Sequence, residues 1–292
     1  MTVLIVVFFI SACTQQPPPK KQVTSKKQPV VEHKTSSKSE LPKIDHIVIV
    51  VEENRSQKRI FGNSSAPYIN SLMNQGANLI NYYAIEHPSQ PNYLDLFSGS
   101  NQGVRNDAIP RTRFTTSNLA SELIEKNYTF AGFSEDLPSV GFNGGSTGPG
   151  GYARKHNPWV NFTNVPKDAN KPLEHFPTDF NQLPTVSFVI PTLQHDMHDG
   201  TIREGDQWLN QHINQYVQWA KTHSSLLIVT WDEDDQSQNN KIPTFLVGPM
   251  VKTGQYMDKV NHFNLLRTIE DIYGLSHAGA SSQAAPIKSI WE

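Results

Sequence analysis

The sequence predicts an α/β fold: a largely parallel central sheet in a three-layer arrangement, with helices on both faces. Three observations predict it. Apolar, β-branched runs recur along the chain, as strands buried on both faces require. Segments with apolar residues at helical spacing alternate with those runs. No internal repeat or shift of composition divides residues 44–292.

Ile44–Val51 (IDHIVIVV) is the first strand-forming run. Residues 66–74 have helical spacing, and Gly76 stops them. A second helix is expected over 117–127, where Leu119, Leu123 and Ile124 share a face, and a strand over 128–133 follows. The stretch GFNGGSTGPGG at 141–151 reads as a loop, and Val186–Ile190 as a strand closed by Pro191. Residues 205–222 form the clearest helix, with Leu209, Ile213, Tyr216, Val217 and Ala220 on one stripe. Strands are expected over 226–231 and 243–247, and a last helix over 264–273, ended by Gly274.

The N-terminus has another character. Residues 3–10 (VLIVVFFI) are apolar but too short to span a bilayer, and they end at Ser11-Ala12-Cys13. Small residues before a cysteine resemble the bacterial lipobox. That resemblance implies a signal segment over 1–12, a lipid on Cys13, and an extracytoplasmic protein anchored to the cell membrane. Secretion is the alternative. Residues 13–43 are rich in Gln, Pro, Lys, Ser and Thr, which reads as a disordered linker. Residues 14–43 hold seven Lys and two Glu, a net of +5. The whole chain has 25 basic and 27 acidic residues, so residues 44–292 hold 18 and 25, a net of −7. No basic field argues for a nucleic-acid polymer, and nothing implies an obligate protein partner. With Cys13 the only cysteine, disulfide frameworks and cysteine-held metals are excluded.

In an open α/β sheet, ligands bind beyond the carboxyl ends of the strands. Polar clusters fall there. The first strand runs into Glu52-Glu53-Asn54-Arg55-Ser56, the strand 186–190 leads to QHDMHDG at 194–200, and the strand 226–231 leads to Asp232-Glu233-Asp234-Asp235. EHPSQPNY at 86–93 precedes LDLFSGS, and Asn261-His262 opens the last helix. Alone, each acidic group reads equally as a solvated turn, and His262 as a cap. Gathered together, carboxylates, an amide and hydroxyls form a hard oxygen site for a divalent cation, with imidazoles beside it for phosphate binding or proton transfer.

The stretch VIVVEENRS followed by FG resembles the opening motif of the bacterial phosphoesterase family, which includes acid phosphatases and phospholipases C. HPSQPNYLDLFSGS is similar to the nucleophile turn of the wider alkaline phosphatase superfamily, TWDEDD to its late metal motif, HDMHDG to its middle Asp/His motif, and NHFNLLRTIEDIYGL to its C-terminal histidine segment. The resemblance covers about 44–291. It implies an alkaline phosphatase-like fold and a metal-dependent phosphomonoesterase of acid phosphatase type, with a phospholipase C-type phosphodiesterase as the runner-up. Glu53, Asn54, Ser89, Asp232 and Glu233 are the implied metal ligands. Ser89 is the implied nucleophile, His198 or His262 is the expected proton donor to the leaving alkoxide, and Asp196 of the middle motif is an expected substrate-binding residue. The residues add Asn92, one helical turn from Ser89, as a phosphate donor, and Arg154, Lys155 and His156 as a phosphate clamp. One divalent ion is expected, two being open, among Mg, Mn, Ca, Fe and Zn. The substrate is a small-molecule or lipid phosphate ester, the lipid anchor holding the protein to a membrane surface. A non-catalytic ligand-binding lipoprotein is the alternative of a different class.

Overall fold

Strand β1 (His46–Glu52) is followed by the short α1 (Gln57–Ile60), by α2 (Pro67–Gln75), by two short strands, β2 (Ala77–Leu79) and β3 (Tyr82–Tyr83), and by α3 (Ser89–Ser98). Then come α4 (Leu119–Glu125), β4 (Phe130–Ser134), β5 (Asn170–Pro172), β6 (Val186–Ile190) and the long α5 (Ile202–Ala220). The chain ends with β7 (Ser225–Trp231), β8 (Thr244–Val247), β9 (Gly254–Tyr256), β10 (Val260–Asn261) and α6 (His262–Tyr273). This computed structural model describes residues 1–4 and 41–292. The expected lipobox, Cys13 and the linker up to residue 40 lie outside the described residues. Among the described residues, no helix is long and apolar enough to cross a membrane.

Eight strands form one sheet in the order β5-β4-β6-β1-β7-β8-β2-β9. Every neighbouring pair is parallel except those of β8, which runs against β7 and β2. β1 lies between β6 and β7, with Ile49 opposite Phe188 and Ile228. Ile47, Val48, Ile49 and Val50 are fully buried, so both sheet faces are covered, as a parallel sheet of β-branched residues requires. The helices fall into two groups: α2 packs on α5, and α3 and α4 pack on α6.

Local chemistry sets the helix ends. Asn118 and Ser121, Thr201 and Glu204, and Asn261 and Asn264 form reciprocal capping boxes at the starts of α4, α5 and α6. The Asn118 cap delays α4 to Leu119, two residues after its predicted start. α3 ends at Gly99, whose φ of 64° is left-handed, and a Cβ there would lie 2.0 Å from the Ala278 carbonyl oxygen. Only glycine meets both demands. Because β4, β6, β1 and β7 are parallel, their carboxyl ends share one sheet edge. The residues leaving that edge build the site.

Candidate active site

Glu53 and Asn54 leave the end of β1, Asp232 and Glu233 the end of β7, and Asp196 and His198 the turn after β6. Asn54 (φ 51°) and Met197 (φ 79°) both adopt left-handed backbone, turning the chain sharply beside the acids. The strands are tied together here: Glu53 N donates to Asp196 O at 2.7 Å, and Asp232 N donates to Glu52 O at 3.0 Å. Alternation along β1 sends Glu52 and Glu53 to opposite faces. Glu52 is fully buried with both carboxylate oxygens unpartnered, and burial raises its pKa far above the carboxylate range.

Ser89 is the first residue of α3, and all ten residues of that helix are buried. Its Oγ donates to Glu53 Oε2 at 3.0 Å, and Lys155 Nζ approaches the same Oγ at 3.4 Å. Asn54 Nδ2 donates to Glu53 Oε2 at 3.1 Å, and Asn54 N donates to Asp232 Oδ1 at 3.2 Å. Burial pushes the Glu53 carboxyl up, but His156 and Lys155 outweigh it and hold it below the usual range. Glu53 is therefore an ionised acceptor aimed at a serine hydroxyl.

His156 sits between two carboxylates, with Nε2 2.9 Å from Glu53 Oε1 and Nδ1 3.1 Å from Asp196 Oδ2. Tyr93 of α3 stacks on its ring, with centroids 4.9 Å apart and planes 13° apart. Burial lowers the His156 pKa, but Glu53 and Asp196 outweigh it and raise it to about 9. Lys155 Nζ also reaches Asp107 Oδ2 and His198 Nε2, both at 3.2 Å. His198 Nδ1 lies 2.7 Å from Asp199 Oδ1. Despite burial, Glu53 and Asp107 raise the Lys155 pKa and keep it protonated.

Not every residue singled out from the sequence joins this group. Arg154, Lys155 and His156 form one 3-10 turn, in which successive side chains diverge by a third of a circle. Lys155 and His156 face the site, whereas Arg154 is buried and donates to Asn161 Oδ1 at 2.7 Å. Of the three residues expected as a clamp, the structure thus brings Lys155 and His156 to the site and Arg154 away from it. The Asn92 amide serves the turn before α3: Oδ1 accepts from Ile85 N and Glu86 N, both at 3.0 Å, and Nδ2 donates to Glu86 O at 2.7 Å. Glu233 lies one layer out, 2.8 Å from His87 Nδ1 and 3.5 Å from Asn92 Nδ2. His262 is fully buried, with Nδ1 3.1 Å from Tyr82 Oη and Nε2 3.0 Å from Asp232 O. Burial lowers its pKa to about 4, so the ring is neutral and both nitrogens are engaged. Its geometry braces the end of β7. Asp107, His87 and Tyr93 escaped the sequence reading: His87 and Tyr93 stood inside a quoted motif, but Asp107 lies in an irregular loop and carried no signal.

The donor set fits a divalent cation. Glu53, His156 and Asp196 each offer a ligand atom, all within 4.8 Å of one another, the ring of His156 becoming a ligand only when an ion displaces its proton. The His156 contacts are close but lie off the ring N–H directions. Glu53 Oε1, Asp196 Oδ2, Asp232 Oδ2 and both ring nitrogens are left buried without hydrogen-bond partners. Three carboxylates (Glu53, Asp196 and Asp232) gather around His156 and Lys155, with Asp107 also on Lys155 and Glu233 one layer out. Burial and the neighbouring acids raise Asp232 and Glu233, the response of carboxyls short of positive charge.

A serine at a helix start, an ionised carboxylate on its hydroxyl, a lysine beside it and an open α/β sheet define a hydrolase of alkaline phosphatase-like architecture acting on phosphate esters. The chain belongs to the phosphoesterase family, which residues 63–276 match. It is 52% identical over 255 residues to a phosphatidylinositol-3-phosphatase of Mycobacterium tuberculosis, covering 87% of this chain and 85% of that protein. It is 32% identical to a phosphate-repressible acid phosphatase of Penicillium chrysogenum over 72% of this chain and 55% of the relative, so it spans about half of that fungal enzyme. Among solved structures, an alkaline phosphatase superfamily protein of Vibrio parahaemolyticus superposes with a TM-score of 0.58 at 12% identity, covering 82% of this chain and 69% of that one. At that identity, the match speaks for the fold.

Proposed function

We propose that this protein is a metal-assisted phosphomonoesterase that works through a phosphoseryl intermediate on Ser89, with phosphoinositide-type lipid phosphates among its substrates. The observation that carries the reading is the Ser89 hydroxyl at the start of α3, donating to ionised Glu53 at 3.0 Å with Lys155 Nζ at 3.4 Å. The phosphate enters over the helix start, where Lys155 and the dipole favour negative charge. Glu53 accepts the Ser89 proton as Oγ bonds to phosphorus and the ester oxygen departs on the opposite side. His198, oriented by Asp199, donates a proton to the leaving alkoxide and recovers one from the water of the second step, while Glu53 holds the serine proton until Ser89 takes it back. Water then attacks the phosphoserine, phosphate leaves, and Ser89 regains its proton. A bound divalent cation would add Lewis-acid stabilisation of charge at the serine and phosphate oxygens, held by Glu53 and Asp232 with His156 and Asp196 beside them.

The names of the relatives support the monoester and lipid assignments. The test compares p-nitrophenyl phosphate with its bis-ester, for wild type and Ser89→Ala. Wild type should favour the monoester, and the variant should lose at least about a thousandfold in kcat/KM while keeping its fold. Substantial turnover by the variant would refute the role of Ser89, and preference for the bis-ester would move the reading to a phosphodiesterase. The apolar run ending in Ser11-Ala12-Cys13 supports a second element, a membrane-tethered lipoprotein outside the cytoplasm. Radiolabelled fatty acid should label the wild-type chain and not Cys13→Ser.

A further inference from the structure

We propose that the loop from Asn101 to Phe114 is a docking surface for an anionic lipid bilayer, wired to the nucleophile. The inference rests on the phosphatase reading and deepens it to substrates presented in a membrane. Arg105, Ile109 and Arg111 are exposed, Ile109 by 51%, and they line a cleft of about 420 Å³. The loop carries three arginines and a single acid, Asp107, on a catalytic unit whose net charge is −7. Ile109 also reaches the glycine-rich loop, where a Cβ on Gly145 would lie 3.4 Å from Ile109 Cδ1.

The base of this loop is bonded to the start of α3. Gln90, the residue after Ser89, donates through its side chain to Asn106 O and Ala108 O, both at 2.8 Å. Gln90 N donates to Asp107 Oδ1 at 3.0 Å, and Asp107 Oδ2 lies 3.2 Å from Lys155 Nζ, which touches Ser89. The residues around Asp107 are thus fixed to the site while Arg105, Ile109 and Arg111 are left to solvent. A lipid phosphate must reach Ser89 while its acyl chains stay in the bilayer, so the bilayer must meet the surface bonded to the Ser89 turn. Exposed guanidinium groups flanking an aliphatic side chain suit that contact: arginines meet lipid phosphates, and isoleucine enters the acyl boundary.

The test uses residues 41–292, which hold the entire buried core found among the described residues. Wild type and the triple variant Arg105→Gln/Ile109→Ser/Arg111→Gln are sedimented with vesicles of phosphatidylcholine alone and of phosphatidylcholine with about one-fifth phosphatidylserine. Wild type should bind the anionic vesicles selectively and the variant about thirtyfold more weakly, the loss expected for two arginines at an anionic surface. Turnover of phosphatidylinositol 3-phosphate in those vesicles should fall in step, with p-nitrophenyl phosphate kcat/KM kept within about twofold. Equal vesicle binding by the two proteins, or an equal loss on the soluble ester, would overturn the proposal. If wild type hydrolysed no ester yet bound anionic vesicles through this loop, the phosphatase reading would fall and the docking surface would stand.

Discussion

Replacing His156 with glutamine removes a buried cation from between Glu53 and Asp196. The wild-type ring has a pKa of about 9, because Glu53 and Asp196 outweigh the effect of burial, whereas an unfolded histidine titrates near about 6.5. Folding at neutral pH therefore takes up a proton. By linkage, the pair of pKa values is worth roughly 2–3 kcal/mol at pH 7; the contribution is full below about pH 6 and is lost as pH rises through about 9. Coulomb's law gives the same scale. Two carboxylates whose ligand atoms lie within 4.8 Å repel by roughly 3–4 kcal/mol at an effective dielectric of about 20. The first figure is the hold of the two carboxylates on the ring and the second the repulsion between them that the ring offsets, so they are not summed. Urea unfolding in chelator, followed by tryptophan fluorescence, should show His156→Gln less stable by about 2–3 kcal/mol at pH 7. That gap should close by about pH 10, where the wild-type ring has lost its proton. A gap as large at pH 10 as at pH 7 would refute the charge argument and leave only packing against Tyr93.

Lys155→Met should lower kcat/KM by about 10²–10³-fold on soluble monoesters and weaken inhibition by inorganic phosphate, since it removes the charge 3.4 Å from Ser89 Oγ. An unchanged phosphate inhibition constant would contradict its role. Asp232→Asn should reduce the bound divalent ion measured by elemental analysis, because Asp232 Oδ2 is buried without another partner. Equal metal content in the two proteins would exclude Asp232 as a ligand. Burial and then Glu86 raise the Asp95 pKa to about 8, so its carboxyl weakens the fold as pH climbs from about 4 to about 8. Asp95→Asn should therefore stabilise the protein by about 1–3 kcal/mol near pH 8 and hardly at all near pH 4. An equal effect at both pH values in thermal melts would show that titration is not the cause.

The central strands were readable because β1, β6 and β7 are short, mostly apolar runs rich in β-branched residues, a pattern that two-sided burial favours. β2, β3, β5, β9 and β10 have two or three residues each, too few for any periodicity to show. The reversal of β8 is equally silent, since direction is set by its partners β7 and β2 and not by its own residues. In the site, Glu53, Asn54, Ser89 and Asp232 could be singled out because chemistry-bearing residues stand at strand and helix ends. The parting of Arg154 from Lys155 and His156 depends on a 3-10 turn that the run RKH does not announce. Asp107 reaches Lys155 only through the course of a loop without regular structure. His262 was legible as a site-edge residue, but its buried bond to the Asp232 carbonyl depends on how α6 meets β7.

The central claim is that the Ser89 hydroxyl takes up the phosphoryl group. It is tested most directly by acid-quenching the enzyme during turnover of a ³²P-labelled monoester and mapping the labelled peptide. The account predicts phosphoserine at position 89 in wild type and none in Ser89→Ala. Label on another residue, or full turnover with no covalent phosphate at any quench time, would contradict it.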